Sequence, residues 1–163
     1  MQCSYCHAPL PQRGMVCPYC QQNNTLNLRS IGETEKIQTE QTLLCPLCEI
    51  PLSRHRHANA VCFDHCERCD GLFIEEDNLL SCVESYAEKH SKIDSSKIKR
   101  FIMENPRNNH KDITYHKCPY CTLPMKHIMY KKVSGIHLDI CEEHGIWIDG
   151  GELKQIFEWT QVS

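Results

Sequence analysis

The sequence predicts a small metal-stabilised α+β protein, in which three compact β-hairpin units are joined by short helices. Three observations lead there. The chain has 163 residues and 13 cysteines, a density that points to disulfides or to metal. Aromatic residues make up only 7%, so a large apolar core is not expected. A third observation is internal repetition: CSYCHAPL at 3–10, CPLCEIPL at 45–52 and CPYCTLPM at 118–125 share two cysteines three apart, two residues, a proline and an aliphatic side chain.

Metal is the better reading of the cysteines. The segment MQCSYCHAPL has neither a basic n-region nor an apolar h-region, and no run of 18 apolar residues exists. A cytoplasmic location without a membrane segment is therefore expected, and in a reducing compartment paired cysteines are more often metal ligands than cystines. The odd count also leaves at least one cysteine outside any set of disulfides. A redox role for the CxxC pairs requires a βαβ context that this chain lacks.

Zinc prefers four tetrahedral sulfur or nitrogen ligands, usually supplied by two short turns, or knuckles, brought together by a hairpin. Pairing successive knuckles gives three sites. The first is Cys3, Cys6, Cys17 and Cys20, with ten residues between knuckles; the second is Cys45, Cys48, Cys66 and Cys69, with seventeen. The third is Cys118, Cys121, Cys141 and His144, with nineteen. The last two separations fall in or near the range of zinc ribbons. About three zinc ions per chain are expected.

The second and third units also match beyond their ligands. VCFDHC at 61–66 aligns with IHLDIC at 136–141, each a strand pattern with an aspartate two residues before the cysteine. GLFIEEDNLL at 71–80 aligns with GIWIDGGELK at 145–154, and each leads into a helix. Phe73 and Trp147 are expected to pack over their own hairpins, and the glycines to serve the turn beyond the last ligand. Asp149 and Glu152 have capping-box spacing, which Asn78 degrades in the second unit.

The stretch CPYC…LDICEEHGIWIDGGEL resembles the transcription-factor-IIB-type zinc ribbon family of small prokaryotic proteins. In that family a CPxC knuckle and a strand lead to a second knuckle and a G-aliphatic-W-aliphatic-D-x-x-E-L signature. The resemblance covers two tandem copies, about half the chain, and implies metal-ligand roles at the eight positions of the second and third sites. The first unit resembles a short generic zinc ribbon. The family implies zinc strongly and transcription weakly.

The organisation read from the sequence is a short ribbon at 1–24, a polar linker at 25–42, a ribbon and helix at 43–90, a basic helical linker at 91–113, and a ribbon with a C-terminal helix at 114–160. Leu79, Val83, Tyr86, Ala87 and His90 fall on one helical face, with Cys82 beside it as a structural thiol. Asp94 or Ser95 caps a second helix carrying Ile98, Phe101 and Ile102, which Asn105-Pro106 ends. Leu153, Ile156 and Phe157 mark the last helix. Cys62 and His137 align on equivalent strand positions, where packing competes with an auxiliary ligand role; Cys62 with His65 also spells an alternative CxxH knuckle. His55-Arg56-His57 reads as a solvated hairpin loop.

Charge is segregated. Residues 33–88 hold twelve acids and four bases, 89–132 eleven bases and three acids, and 133–163 six acids and one base. Eleven thiolates and three zinc ions would take the formal charge of −3 to near −8, which disfavours nonspecific nucleic-acid binding by the whole chain. The basic segment 97–132, with Lys97, Lys99, Arg100, Arg107, Lys111, Lys117, Lys131 and Lys132, offers a local phosphate-binding face or pairs with the acidic units. No HExxH, phosphate loop, nucleophile elbow or Ser/His/Asp set is readable, and each predicted ion already has four ligands. The functional expectation is a non-enzymatic zinc-binding interaction module, with protein first and nucleic acid second as partner and small molecules disfavoured. A zinc-dependent hydrolase or nuclease, or a zinc or redox sensor, is the alternative.

Overall fold

The apolar runs Leu72-Phe73-Ile74 and Ile146-Trp147-Ile148 are too short for helices and too continuous for strands with one wet face. Such runs belong at the centre of a sheet covered on both sides. The computed structural model puts them there. It describes residues 6, 8–9, 17–21, 26–57, 60–90, 115–131 and 134–160, apart from the side chains of 26, 29, 87, 89 and 90.

Among the described residues seven antiparallel strands form one sheet: β1 (Thr34–Lys36), β2 (Ser53–His57), β3 (Cys62–His65), β4 (Leu72–Ile74), β5 (Lys126–Met129), β6 (His137–Cys141) and β7 (Gly145–Ile148). Their order is β1-β2-β3-β4-β7-β6-β5. Two meanders, β2-β3-β4 and β5-β6-β7, thus meet through their last strands. There Leu72 lies opposite Ile148, Phe73 opposite Trp147 and Ile74 opposite Ile146.

Side chains alternate along each strand, so this register sorts two cores. On one face Phe63, Leu72, Ile74, Leu138, Ile146 and Ile148 lie under three helices, α1 (Leu26–Ile31), α2 (Glu76–His90) and α3 (Glu152–Thr160). These add Ile31, Leu79, Val83, Leu153, Ile156 and Phe157. On the other face Phe73 and Trp147 are buried against Leu52, Met125 and the sulfurs of Cys45, Cys66 and Cys118. Burying each of these two rings contributes about 1.5–3 kcal/mol.

The two glycines do more than turn the chain. A Cβ at Gly71 would meet the Trp147 indole at 2.2 Å, and one at Gly145 would meet the Ile74 carbonyl oxygen at 2.5 Å, where φ is also +137°. Each therefore makes room for the other meander. Phe73 and Trp147 likewise pack across the junction rather than only over their own hairpins.

The segment expected as a polar linker is ordered in part: α1 and β1 both fall within 25–42. Leu28 and Ile31 place apolar surface on the helical core, and β1 pairs with β2. This also corrects the expected loop at 55–57, which is part of β2. His55 and His57 are buried; His55 stacks on Phe63, and His57 Nδ1 lies 2.9 Å from the Glu33 carbonyl oxygen. Arg56 stays outside and pairs with Glu35 at 3.4 Å. The expected helix carrying Ile98, Phe101 and Ile102 lies outside the described residues, as do Lys97, Lys99, Arg100, Arg107, Lys111 and Lys132. Among the described residues no helix is long and apolar enough to cross a membrane.

Asn27 fastens α1 to both meanders. Its Oδ1 accepts hydrogen bonds from Gly151 N and Leu153 N, at 3.0 and 3.1 Å, and so caps α3. Its Nδ2 donates to the carbonyls of Asp70 and Asp149, at 2.9 and 3.0 Å. Of the expected capping box, Glu152 accepts from Asp149 N, and the Asp149 carboxylate also accepts the Trp147 indole N–H. Asn27→Ala would strand two donors and two acceptors at a fully buried position. A loss of about 2–4 kcal/mol in stability is expected, read by urea unfolding of the metal-loaded chain; an unchanged midpoint would contradict the capping role.

Candidate metal centres

Five knuckles among the described residues close in the same way. The residue after the second ligand adopts a left-handed backbone: Gln21 (φ 60°), Glu49 (56°), Asp70 (59°), Thr122 (62°) and Gly145 (137°). In the first four its N–H bonds, at 2.9 Å, the carbonyl of the knuckle's first cysteine. Left-handed φ is costly for residues other than glycine, more so for β-branched Thr122, and costs of order 1 kcal/mol each. Further N–H groups point at sulfur: Cys48 N donates to Cys45 Sγ at 3.3 Å and Tyr120 N to Cys118 Sγ at 3.4 Å. The chain accepts local strain to aim two ligands at one point.

Three groups of Cys and His converge so that their ligand atoms lie within 4.8 Å of one another: Cys45, Cys48, Cys66 and Cys69; Cys118, Cys121, Cys141 and His144; and Cys6, Cys17 and Cys20. These are the sequence-predicted sets, except that Cys3 lies outside the described residues. Cys45 and Cys69 sulfurs are 3.7 Å apart, Cys121 and Cys141 3.8 Å, and Cys6 and Cys17 3.5 Å. These separations are far beyond a disulfide bond. Four sulfurs each about 2.3 Å from a tetrahedral ion would lie about 3.8 Å apart, so the donor sets fit such an ion. His144 presents Nδ1, 3.4 Å from Cys141 Sγ.

The second set is electrostatically incomplete without a cation. Hydrogen bonds from Cys45 and then Cys69 pull the Cys66 thiol far down, to about 2. The bond to Cys66 pushes Cys45 up to about 12, and bonds to Cys45 and Cys66 push Cys69 up as well. In the third set burial raises Cys118 to about 11. One thiolate sharing its neighbours' protons is the pattern of a site that trades protons for metal.

Supporting contacts bind the second and third sets to the sheet. Asp64 sits opposite Arg54 and Asp139 opposite His127, in matching registers. Arg54 donates to Asp64 at 3.1 Å; His127 and His116 Nδ1 approach Asp139 at 2.8 and 2.6 Å. The aspartate two residues before each second-knuckle cysteine therefore clamps the strand that carries it. Burial raises the Asp64 carboxyl, with Arg54 opposing. Tyr120 joins the two sets: its ring stacks on His144 with centroids 5.3 Å apart, and its hydroxyl accepts from Arg54 at 2.9 Å.

The other flagged residues fall elsewhere. β3 sends Cys62 and His65 to opposite faces, so they form no CxxH knuckle. His65 is buried with Nε2 2.8 Å from Asp70 Oδ1, and Asp70 also accepts from Asn27 N at 2.8 Å. His137 stacks on His127 with centroids 4.9 Å apart. Cys82 belongs to α2 and is buried in the core that the helix covers, and burial raises its thiol to about 11. Asn27, Asp70 and the Arg54–Tyr120 bridge were not readable in advance, because each depends on residues more than 40 positions apart.

Fold and donor sets together define a class: a small protein with one antiparallel sheet flanked by helices and with Cys/His clusters able to hold metal ions. No family model, curated protein or solved structure matches the chain. Because their neighbours push the Cys45 and Cys69 thiols up, loading the second set should release at least two protons per ion, and retention should weaken as pH falls and protons compete for sulfur. Zinc titration in weakly buffered indicator dye at pH 7 measures this. Loading without proton release would contradict it.

Proposed function

We propose that this protein is a zinc-stabilised interaction module without catalytic activity, built from tandem ribbons of the transcription-factor-IIB type after a short first ribbon. One observation carries the reading: two coordinatively complete sets, one of four sulfurs and one of three sulfurs and a nitrogen, are packed into the wall of the apolar core. Sulfur-rich tetrahedral sets favour zinc, and four protein ligands leave no open position for water or substrate. Each such ion supplies about 10–16 kcal/mol of apparent binding energy that doubles as folding energy. That offsets the small core and the strained knuckles.

A chain that spends its ligands on structure acts through its surface. Protein is the first partner, in the transcription or translation machinery of the cytoplasm; nucleic acid, through the basic segment 97–132, is the second. Elemental analysis of the purified chain should find close to three zinc ions, and chelation should abolish its tertiary structure. One ion or none would overturn the reading. Capture from native cells with and without nuclease then separates the partners, since a nuclease-resistant protein is expected.

A further inference from the structure

The two ends of the sheet are unequal. At one end β2 is covered by β1, with Thr34 opposite His57, Glu35 opposite Arg56 and Lys36 opposite His55. At the other end β5 is the last strand among the described residues, and all four of its residues are exposed, the His127 side chain less so because it reaches Asp139. The strands correspond at a constant offset of 73, which matches Cys45 with Cys118, Arg54 with His127, His55 with Ile128 and Arg56 with Met129. His55 is 8% exposed where its counterpart Ile128 is 42% exposed, and Met129 is 41% exposed.

The hydrogen-bond phase says which groups are open. Tyr130 N donates to Ile136 O at 2.8 Å, so residues 130, 128 and 126 turn their main-chain groups inward to β6. His127 and Met129 therefore turn theirs outward. In the first meander the corresponding outward group is used, because Ile37 N donates to Arg54 O at 2.9 Å. The apolar surface is concentrated here too: among the described residues Tyr115, Leu123, Ile128 and Met129 are four of the seven exposed large hydrophobic ones, all within 115–129.

We propose that the β5 edge is a docking site for an extended strand of a partner protein, which pairs with the main chain of His127 and Met129 as β1 pairs with β2. The strand is acidic and apolar: Lys117 and Lys131 are exposed beside the edge, Lys126 between them pairs with Glu142, and Ile128 and Met129 supply the apolar surface. The precedent is the Glu35–Arg56 pair at the covered end. The chain's own counterpart of β1 at this offset is Arg107-Asn108-Asn109, which follows Pro106. It is basic and rich in poor strand formers, so it is badly matched to this edge. A second copy is disfavoured as well, since pairing β5 with β5 would bring the edge lysines of two chains together. Strand addition of this kind takes affinity from main-chain bonds and selectivity from alternate side chains.

The inference rests on the interaction-module reading and names where and what it binds. The test uses the zinc-loaded full chain, ¹⁵N-labelled, titrated with a capped peptide of alternating glutamate and valine and with its lysine–valine counterpart. The acidic peptide should shift residues 126–130 saturably and slow amide exchange at His127 and Met129, while the basic one should do neither. Met129→Pro removes an outward donor that β6 does not use, and Met129→Glu repels the acidic strand with the donor intact; each should weaken binding about tenfold or more. Absence of saturable shifts there, or binding untouched by both variants, would overturn the proposal. So would protection of these amides in the dilute free chain, which means the chain covers its own edge, or protection that grows with chain concentration, which means a second copy does. If Met129→Pro retains three zinc ions and captures the same protein from cells, the edge is wrong and the module reading stands. If the unaltered chain captures only nucleic acid, the module's protein partner is wrong.

Discussion

The pairing of β4 with β7 is the constraint on which the rest of the structure depends. Each meander alone is a three-stranded sheet with one metal-ligand set and few apolar residues. Joined edge to edge, they place Phe73 against Trp147 on one face and the quartet Leu72, Ile74, Ile146 and Ile148 on the other. The first pair closes a core against the cysteine sulfurs, and the quartet builds a floor for α2 and α3. Neither core can form from one meander. Gly71 and Gly145 permit the approach, and Tyr120 spans it from the ring of His144 to Arg54 and Asp64.

The candidate metal-ligand sets and the sheet thereby share one set of supports. A knuckle needs a residue of left-handed φ and inward N–H groups, which a hairpin alone does not stabilise. The sheet holds them through the clamping aspartates, and the sulfurs return the favour as core atoms around Phe73 and Trp147. The buried polar groups follow the same economy: Asp70 takes His65 and Asn27, and Asn27 takes the head of α3. The first ligand group has an apolar cluster of its own, Cys17 with Ala8 and Cys20.

Much of this was legible in the sequence, for local reasons. CxxC spacing is a property of one turn, the period-two patterns of 61–66 and 136–141 are properties of one strand, and the stripes of α2 and α3 are properties of one helix. Eleven of the twelve residues read as ligands come together, eight of them as two full sets and Cys6, Cys17 and Cys20 as the third group, while Cys3 lies outside the described residues. What escaped was nonlocal. No pattern within GLFI or GIWI says that the two will pair with each other. The polarity of 25–42 hid β1, an edge strand with one wet face, and it hid Asn27, whose side chain is polar because it replaces missing main-chain partners. His55 and His57 looked solvated because what buries them, α1 and β1, comes from that same polar stretch.

The central claim is that the two meanders and their metal centres fold as one unit through β4 and β7. Amide hydrogen exchange of the zinc-loaded chain carrying Cys45→Ser tests it directly, because that substitution removes a ligand from the first meander alone. Loss of protection in β6 and β7 together with β3 and β4 is the predicted result. Full protection retained in β6 and β7 would contradict the claim and make the meanders independent.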